Sequence, residues 1–413
     1  MRLSMWTYPW DVQDCGFDAT VRDLRERAGV NGVSLAASYH AGRFLQPRSP
    51  VRKVFFPEDG TVYFQLEASR WRRSRLKPKV ADILARGDAL RAFVDERERT
   101  GLSVSAWTVC LHNTRLGVLH PDAVTRNAFD DPNYFSLCPS HPDAREYVCA
   151  LVEDLTANYR PDAVELETPC FMPYEHGFHH EKDGVGLTAE DDFLLSLCFC
   201  PSCLARSGKA GVDGEAARRS VRRLTMQAME RPVPRPRWPN FAERGLEALE
   251  EIPEIADYAR LRTEPVTSLV AEVRDRADPA SKVHVIDIKD GWLGGCDAAA
   301  LGRVCDGMIF CVYDLSADEI AVAIAAARAT IPGERYLGAG FRVFHPEMTD
   351  ADDLAAKTRA AVTAGAGGLN FYNFGLIPSA RLDWVGKAAA CAPDSAKLGL
   401  GSVPKPLEGF GEA

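Results

Sequence analysis

Short apolar runs rich in β-branched and aromatic residues alternate along the chain with longer stretches whose apolar residues recur every three or four positions. The short runs are Leu3–Tyr8, Gly32–Ser38, Leu102–Leu111, Ala163–Thr168, Lys282–Ile288, Gly307–Tyr313, Tyr336–Val343 and Gly368–Phe374. Between them the spacing predicts helices over Ala81–Arg99, Ala144–Asn158, Ser316–Thr330 and Ala351–Ala364. In Ala144–Asn158, for example, Val148, Leu151, Val152 and Leu155 share one helical face. Strands that alternate with helices imply a parallel sheet. Eight such units fit a closed (β/α)8 TIM barrel, an α/β fold. The rival is an open doubly wound sheet, which would carry a glycine-rich phosphate loop after its first strand. Pro9-Trp10-Asp11-Val12 stands there instead.

Two insertions account for the remaining length. One follows strand 2, about residues 41–78, where Lys53–Phe64 reads as a hairpin turning at Glu58-Asp59-Gly60. The other follows strand 4, about residues 169–281, with a helical stretch near 214–230 and a proline-rich loop at 231–239. By count alone 413 residues suggest two or three domains. The pattern resolves them into one barrel domain over 1–395 and a C-terminal tail over 396–413.

Composition narrows the partners. With 49 basic and 58 acidic residues the net charge is −9, which argues against nucleic acid, whose phosphates demand a concentrated basic footprint. The basic run Arg70–Lys79 reads as a solvated turn beside a helix. No run approaches the roughly 18 apolar residues of a membrane span, so no membrane partner is expected. The N-terminus lacks an apolar leader with a cleavage site, so a cytoplasmic location is expected. Six of the twelve cysteines (Cys15, Cys110, Cys149, Cys305, Cys311 and Cys391) are scattered among apolar neighbours and read as small core residues. Cys198-Phe199-Cys200-Pro201-Ser202-Cys203 is different, because three thiols within six residues form a chelate suited to zinc or iron–sulfur.

In such a barrel the chemistry sits at the C-terminal ends of the strands. The polar residues there are His40 and Arg43 after strand 2, His112 and Asn113 after strand 3, and Glu165 and Glu167 on strand 4. Strand 5 ends in Asp287, Asp290 and Trp292, and strand 6 in Tyr313 and Asp314. Strand 7 contributes Arg342 before His345 and Glu347, and strand 8 Tyr372 and Asn373. Glu165 and Glu167 share one strand face, and Glu167 is nearer the mouth. Glycoside hydrolysis needs two carboxyl groups across a sugar ring, which Glu167 with Asp314 or Asp287 would supply. The remaining His, Arg, Asn and Asp groups, with Trp6, Trp107 and Trp292 for stacking, suit a polyhydroxylated substrate. The loop Tyr174–Lys182 adds His176, His179 and His180 as substrate contacts. Those three histidines also motivate a different reading, a metal-dependent hydrolase or lyase. A noncatalytic sugar-binding barrel is the third reading.

The span from Cys138 to Cys203 resembles the beta-galactosidases of glycoside hydrolase family 42. Cys138 stands ahead of the helix before strand 4, and the Cys-x-Cys-x-x-Cys follows that strand. The resemblance implies that Cys138, Cys198, Cys200 and Cys203 hold a structural zinc near the active-site face. It also implies a barrel acting on carbohydrate, with an acid/base glutamate on strand 4. Two departures mark this chain. Leu166-Glu167 replaces the family's Asn-Glu, with Glu175 as the alternative alignment, and strand 7 lacks the nucleophilic glutamate. Beta-galactosidase activity is therefore not carried over, and the chain is similar to the glycoside-hydrolase-like barrels related to that family. Related barrels often assemble, which leaves a homo-oligomer open.

Overall fold

The computed structural model describes residues 1–176, 180–288 and 290–392. Eight parallel strands form the barrel: β1 (Arg2–Thr7), β2 (Gly32–Tyr39), β3 (Ser103–Val109), β4 (Ala163–Glu167), β5 (Lys282–Ile288), β6 (Gly307–Cys311), β7 (Tyr336–Arg342) and β8 (Gly368–Tyr372). Each pairs with the next, and β1 closes the ring by pairing with both β2 and β8. All eight runs read from the sequence are strands. Helices between them include Pro142–Asp154, Thr263–Arg276, Ala317–Thr330 and Ala351–Thr363.

Side-chain alternation divides the strands cleanly. Outward residues such as Leu3, Met5, Val164, Leu166, Val283 and Val285 join the main apolar core under the helices. Inward residues form two layers. The lower is polar, and its centre is Glu165, which pairs with Arg2 at 2.8 Å. The upper is aromatic, built from Trp6, Tyr8, Tyr39 and Trp107. Trp6 fits because β7 is small where it faces inward: a Cβ on Gly340 would lie 2.9 Å from the indole.

The sequence reading fails at two local points. The helix expected over Ala81–Arg99 is split into a 3-10 turn, Asp82–Arg86, a helix, Ala89–Asp95, and a last helical turn, Arg97–Thr100. Gly87, at φ +137°, breaks it, and Asp88 caps the second piece by accepting the Arg91 N–H at 2.9 Å. The hairpin expected over Lys53–Phe64 does not close on itself. Val54–Phe55 pairs with Phe44–Leu45, while Thr61–Val62 runs antiparallel to the end of β2. Burial decides this, since Val62 and Phe64 are fully enclosed in the core.

The segment after β4 carries the helices Ala189–Ser196, Pro201–Lys209, Gly214–Met229 and Pro253–Arg260. They gather a second apolar cluster around Phe193, Phe199, Trp238 and Phe241. In the basic run, Trp71 is buried and its indole N–H donates to Asp154 at 2.7 Å. Arg75 pairs with Asp122 and Asp143, and Lys79 with Glu58. Among the described residues, no helix is long and apolar enough to cross a membrane. The tail expected at 396–413 lies outside the described residues.

Candidate active site

Glu167 is the last residue of β4 and faces the barrel axis at its mouth, two positions above Glu165. It is half-buried and accepts a hydrogen bond from the Trp107 indole N–H. Burial among aromatic and sulfur groups pushes its pKa up to about 7, and the Trp107 bond opposes that rise only in part. Trp107 lies 4.9 Å from the Tyr39 ring and 5.9 Å from that of Tyr372. Tyr8 ties this wall together, its hydroxyl bonding Tyr39 at 2.9 Å and Tyr372 at 2.7 Å.

The two strand-4 carboxylates therefore differ in kind. Glu165 has no exposed surface and receives Arg2, the Trp6 indole N–H at 3.0 Å and the Ser34 hydroxyl at 2.5 Å. A buried carboxylate satisfied in this way is internal structure. It is removed from the set of groups facing substrate.

Strand register sorts the other acids. Glu165 aligns with His284, so His284 and Ile286 face inward and Asp287 faces outward with Val285. Asp287 is buried and packs against Gly291, in a groove of about 730 Å3 that it shares with Asp290, Trp292 and Cys296. That position takes Asp287 off the axis on which Glu167 lies. Asp290 and Trp292 go with it, Trp292 packing tilted against Phe193 and edge-on against Phe241 in the second apolar cluster. Asp314, just past the end of β6, stays on the mouth side. Its side chain is 68% exposed and pairs at 3.2 Å with Arg342, the last inward residue of β7. Arg342 lies over the Tyr313 ring at 5.1 Å and also pairs with Glu347 from the following loop.

The histidines form a column. His40 stacks on Tyr39 and on His112, both at 4.3 Å, and the His176 ring meets His112 edge-on at 5.0 Å. Burial drives His112 down to about 2, helped by His40 and His176, so it is neutral at ordinary pH. His40 and His176 are lowered by the same burial. Sequence spacing placed His176 with His180, but the structure pairs it with His112 instead. His180 is exposed in a neighbouring cleft, and His179 lies outside the described residues. Among the described residues, neither His176 nor His180 joins a group of three ligand atoms that would hold a metal.

Three further expected contacts are placed differently. Asn113 is buried as a helix cap, its Oδ1 accepting the Leu116 N–H at 2.8 Å. Asn373 is buried and accepts the Gly375 N–H at 3.0 Å. Arg43 is exposed beside the His40 turn. Tyr8 was overlooked in the sequence, because a tyrosine in an apolar N-terminal strand carries no polar spacing signal.

Cys138, Cys198, Cys200 and Cys203 are all buried, and their sulfurs lie within 4.8 Å of one another. Cys138 stands 3.9 Å from Cys198 and 3.6 Å from both Cys200 and Cys203. A tetrahedral ion with metal–sulfur bonds of about 2.3 Å has sulfur–sulfur edges of about 3.8 Å, so the donor set fits zinc.

No family model matches the chain, and no curated protein sequence does. Solved structures do resemble it. The Ostrinia furnacalis Group IV chitinase superposes with a TM-score of 0.46 at 8% identity, covering 94% of this chain and 99% of that one. A class V chitinase from Pseudomonas fluorescens Pf-5 gives 0.47 at 8% identity, with coverage of 94% and 99%. Alpha-L-fucosidase isoenzyme 2 from Paenibacillus thiaminolyticus gives 0.56 at 14% identity, covering 97% of this chain and 51% of that one. The chain thus spans about half the length of that fucosidase. At this level of identity the likeness is one of fold, the (β/α)8 barrel.

Proposed function

We propose that the chain is a glycoside hydrolase in which Glu167 is the acid/base. One observation carries the reading: a carboxyl at the mouth of the barrel, on its axis, whose pKa of about 7 keeps much of it protonated near neutrality. Such a group can give a proton to a leaving glycosidic oxygen and take one back from water. Tyr372, partly exposed at the edge of the buried aromatic layer that holds Trp107 and Tyr39, offers a face for the apolar side of a sugar ring. Asp314 is the second carboxylate in this reading. Arg342 holds it at 3.2 Å, in place to serve as nucleophile or base. The neutral His40 and His112 donate to and accept from substrate hydroxyls.

We also propose that the four cysteines hold a structural zinc. Four thiolates make a closed site with no position for substrate. Its role is to fasten the start of the Pro201–Lys209 helix to Cys138. This arrangement supports a relation to the family 42 barrels. Strand 7 ends in Arg342 where their nucleophile stands, so the substrate of that family is not assigned. Likeness of fold to a fucosidase is in keeping with the same reaction class.

The test is Glu167→Gln, assayed on a panel of aryl fucosides, galactosides and N-acetylglucosaminides. Losing the acid/base lowers turnover by about a hundredfold or more, while near-ultraviolet circular dichroism stays unchanged. Full retained activity removes Glu167 from the mechanism. Sugar binding without product from any glycoside would favour a noncatalytic barrel.

A further inference from the structure

Beside the barrel mouth a cleft of about 850 Å3 opens between the segment after β3 and the segment after β4. That volume falls within the roughly 300–1,000 Å3 of small-molecule sites. Two aromatic residues in its lining keep much of their surface open: Tyr134 is 41% exposed and Tyr174 45%. Large exposed rings on a cleft wall are costly to leave in water and suit the apolar face of a sugar. The lining charge is lopsided. Asp131, Glu175, Glu181 and Asp183 stand there with Lys182 as the only lysine or arginine among the described residues. Four carboxylates around a concave wall repel anions and welcome hydroxyl or ammonium donors.

The inner end of this cleft abuts the site already described. Phe135 lines the cleft, and its ring meets His112 at 5.9 Å. His176, the neighbour of Glu175, meets the other side of the same imidazole. From there the rings of His40 and Tyr39 lead to Trp107, whose N–H bonds Glu167. The column of rings thus runs from the open cleft at one end to the proposed reaction centre at the other.

We propose that this cleft is a second carbohydrate subsite. It takes the arm of an oligosaccharide that extends beyond the bond held at Glu167, stacks sugar rings on Tyr134 and Tyr174, and selects neutral or amine-bearing sugars over acidic ones. The inference rests on the glycoside hydrolase reading and adds to it a chain-length requirement and a charge preference. Binding energy gathered on a remote arm positions the reacting ring, so a true substrate is longer than a monosaccharide.

The test is titration calorimetry on the full chain carrying Glu167→Gln, so that binding is read without turnover. The probes are three linear tetrasaccharides: β-1,4-glucose, β-1,4-glucosamine and α-1,4-galacturonate. The glucose or the glucosamine probe binds, and the galacturonate probe does not. Adding Tyr134→Ala with Tyr174→Ala weakens that binding about tenfold or more, equivalent to about 1.4 kcal/mol. The matching pair of Phe substitutions retains it, which separates loss of stacking from loss of fold. Binding by none of the three probes, equal binding of galacturonate, or unchanged affinity in the double Ala variant overturns the proposal. Failure of the hydrolase reading registers elsewhere, as undiminished turnover in Glu167→Gln.

Discussion

Glu167 owes its protonation to what surrounds it, and one neighbour tunes it in a definite direction. The Trp107 N–H favours the carboxylate, opposing the burial that favours the acid. A general acid must be protonated, so kcat/KM on any active glycoside falls as pH rises through about 7. Trp107→Phe removes the opposing donor, and the alkaline limb of the pH–rate profile moves upward. A limb that stays in place or moves down would show that another group titrates. The same burial links Glu167 to stability. Its folded pKa of about 7 exceeds its ordinary 4.5, and buried Asp11 is raised from 3.8 to about 7. Over that interval the folded state binds more protons than the unfolded chain, so stability present at low pH is lost as pH rises toward 7. Glu167→Gln removes its share, and Tm plotted between pH 4.5 and 8 declines less steeply than in the parent.

Strands and long loops were unequally legible, for reasons that belong to each element. The eight barrel strands announce themselves because they are buried on both faces and read as apolar runs between amphipathic helices. That same two-sided burial hides which residues face inward. Asp287 stands one residue short of the end of β5, near the mouth like Glu167, and only the pairing of Glu165 with His284 fixes it on the outer side. The partners of Thr61–Val62 and the meeting of His112 with His176 were equally hidden, since each joins segments far apart in the chain. The cysteine cluster was legible because three of its four members are local, and the fold brings Cys138 to them. If it holds zinc, elemental analysis gives one zinc per chain. Cys200→Ser then abolishes the zinc and lowers Tm, whereas a combined His176→Ala and His180→Ala variant keeps it. Zinc that follows the histidines instead would move the metal to the substrate-facing loop.

At the scale of the whole barrel, closure draws on a charge pair buried inside it. Arg2 stands at the start of the first strand, and Glu165 lies on the fourth. Their ion pair crosses the barrel interior and draws in Trp6 from β1 and Ser34 from β2. The first strand to emerge in the chain is thus tied to the opposite wall as well as to its two neighbours. Removing one member of a buried pair strands the other charge, which costs about 3–5 kcal/mol. Glu165→Ala is therefore expected to lower the urea midpoint sharply, with Glu167→Gln as a near-neutral comparison two residues away. Replacing both partners, Arg2→Met with Glu165→Leu, leaves no stranded charge and recovers much of the loss. If Glu165→Ala instead unfolds at the parental urea concentration, the pair contributes nothing to closure. Barrel integrity would then rest on the strand ladder and the outer apolar core alone.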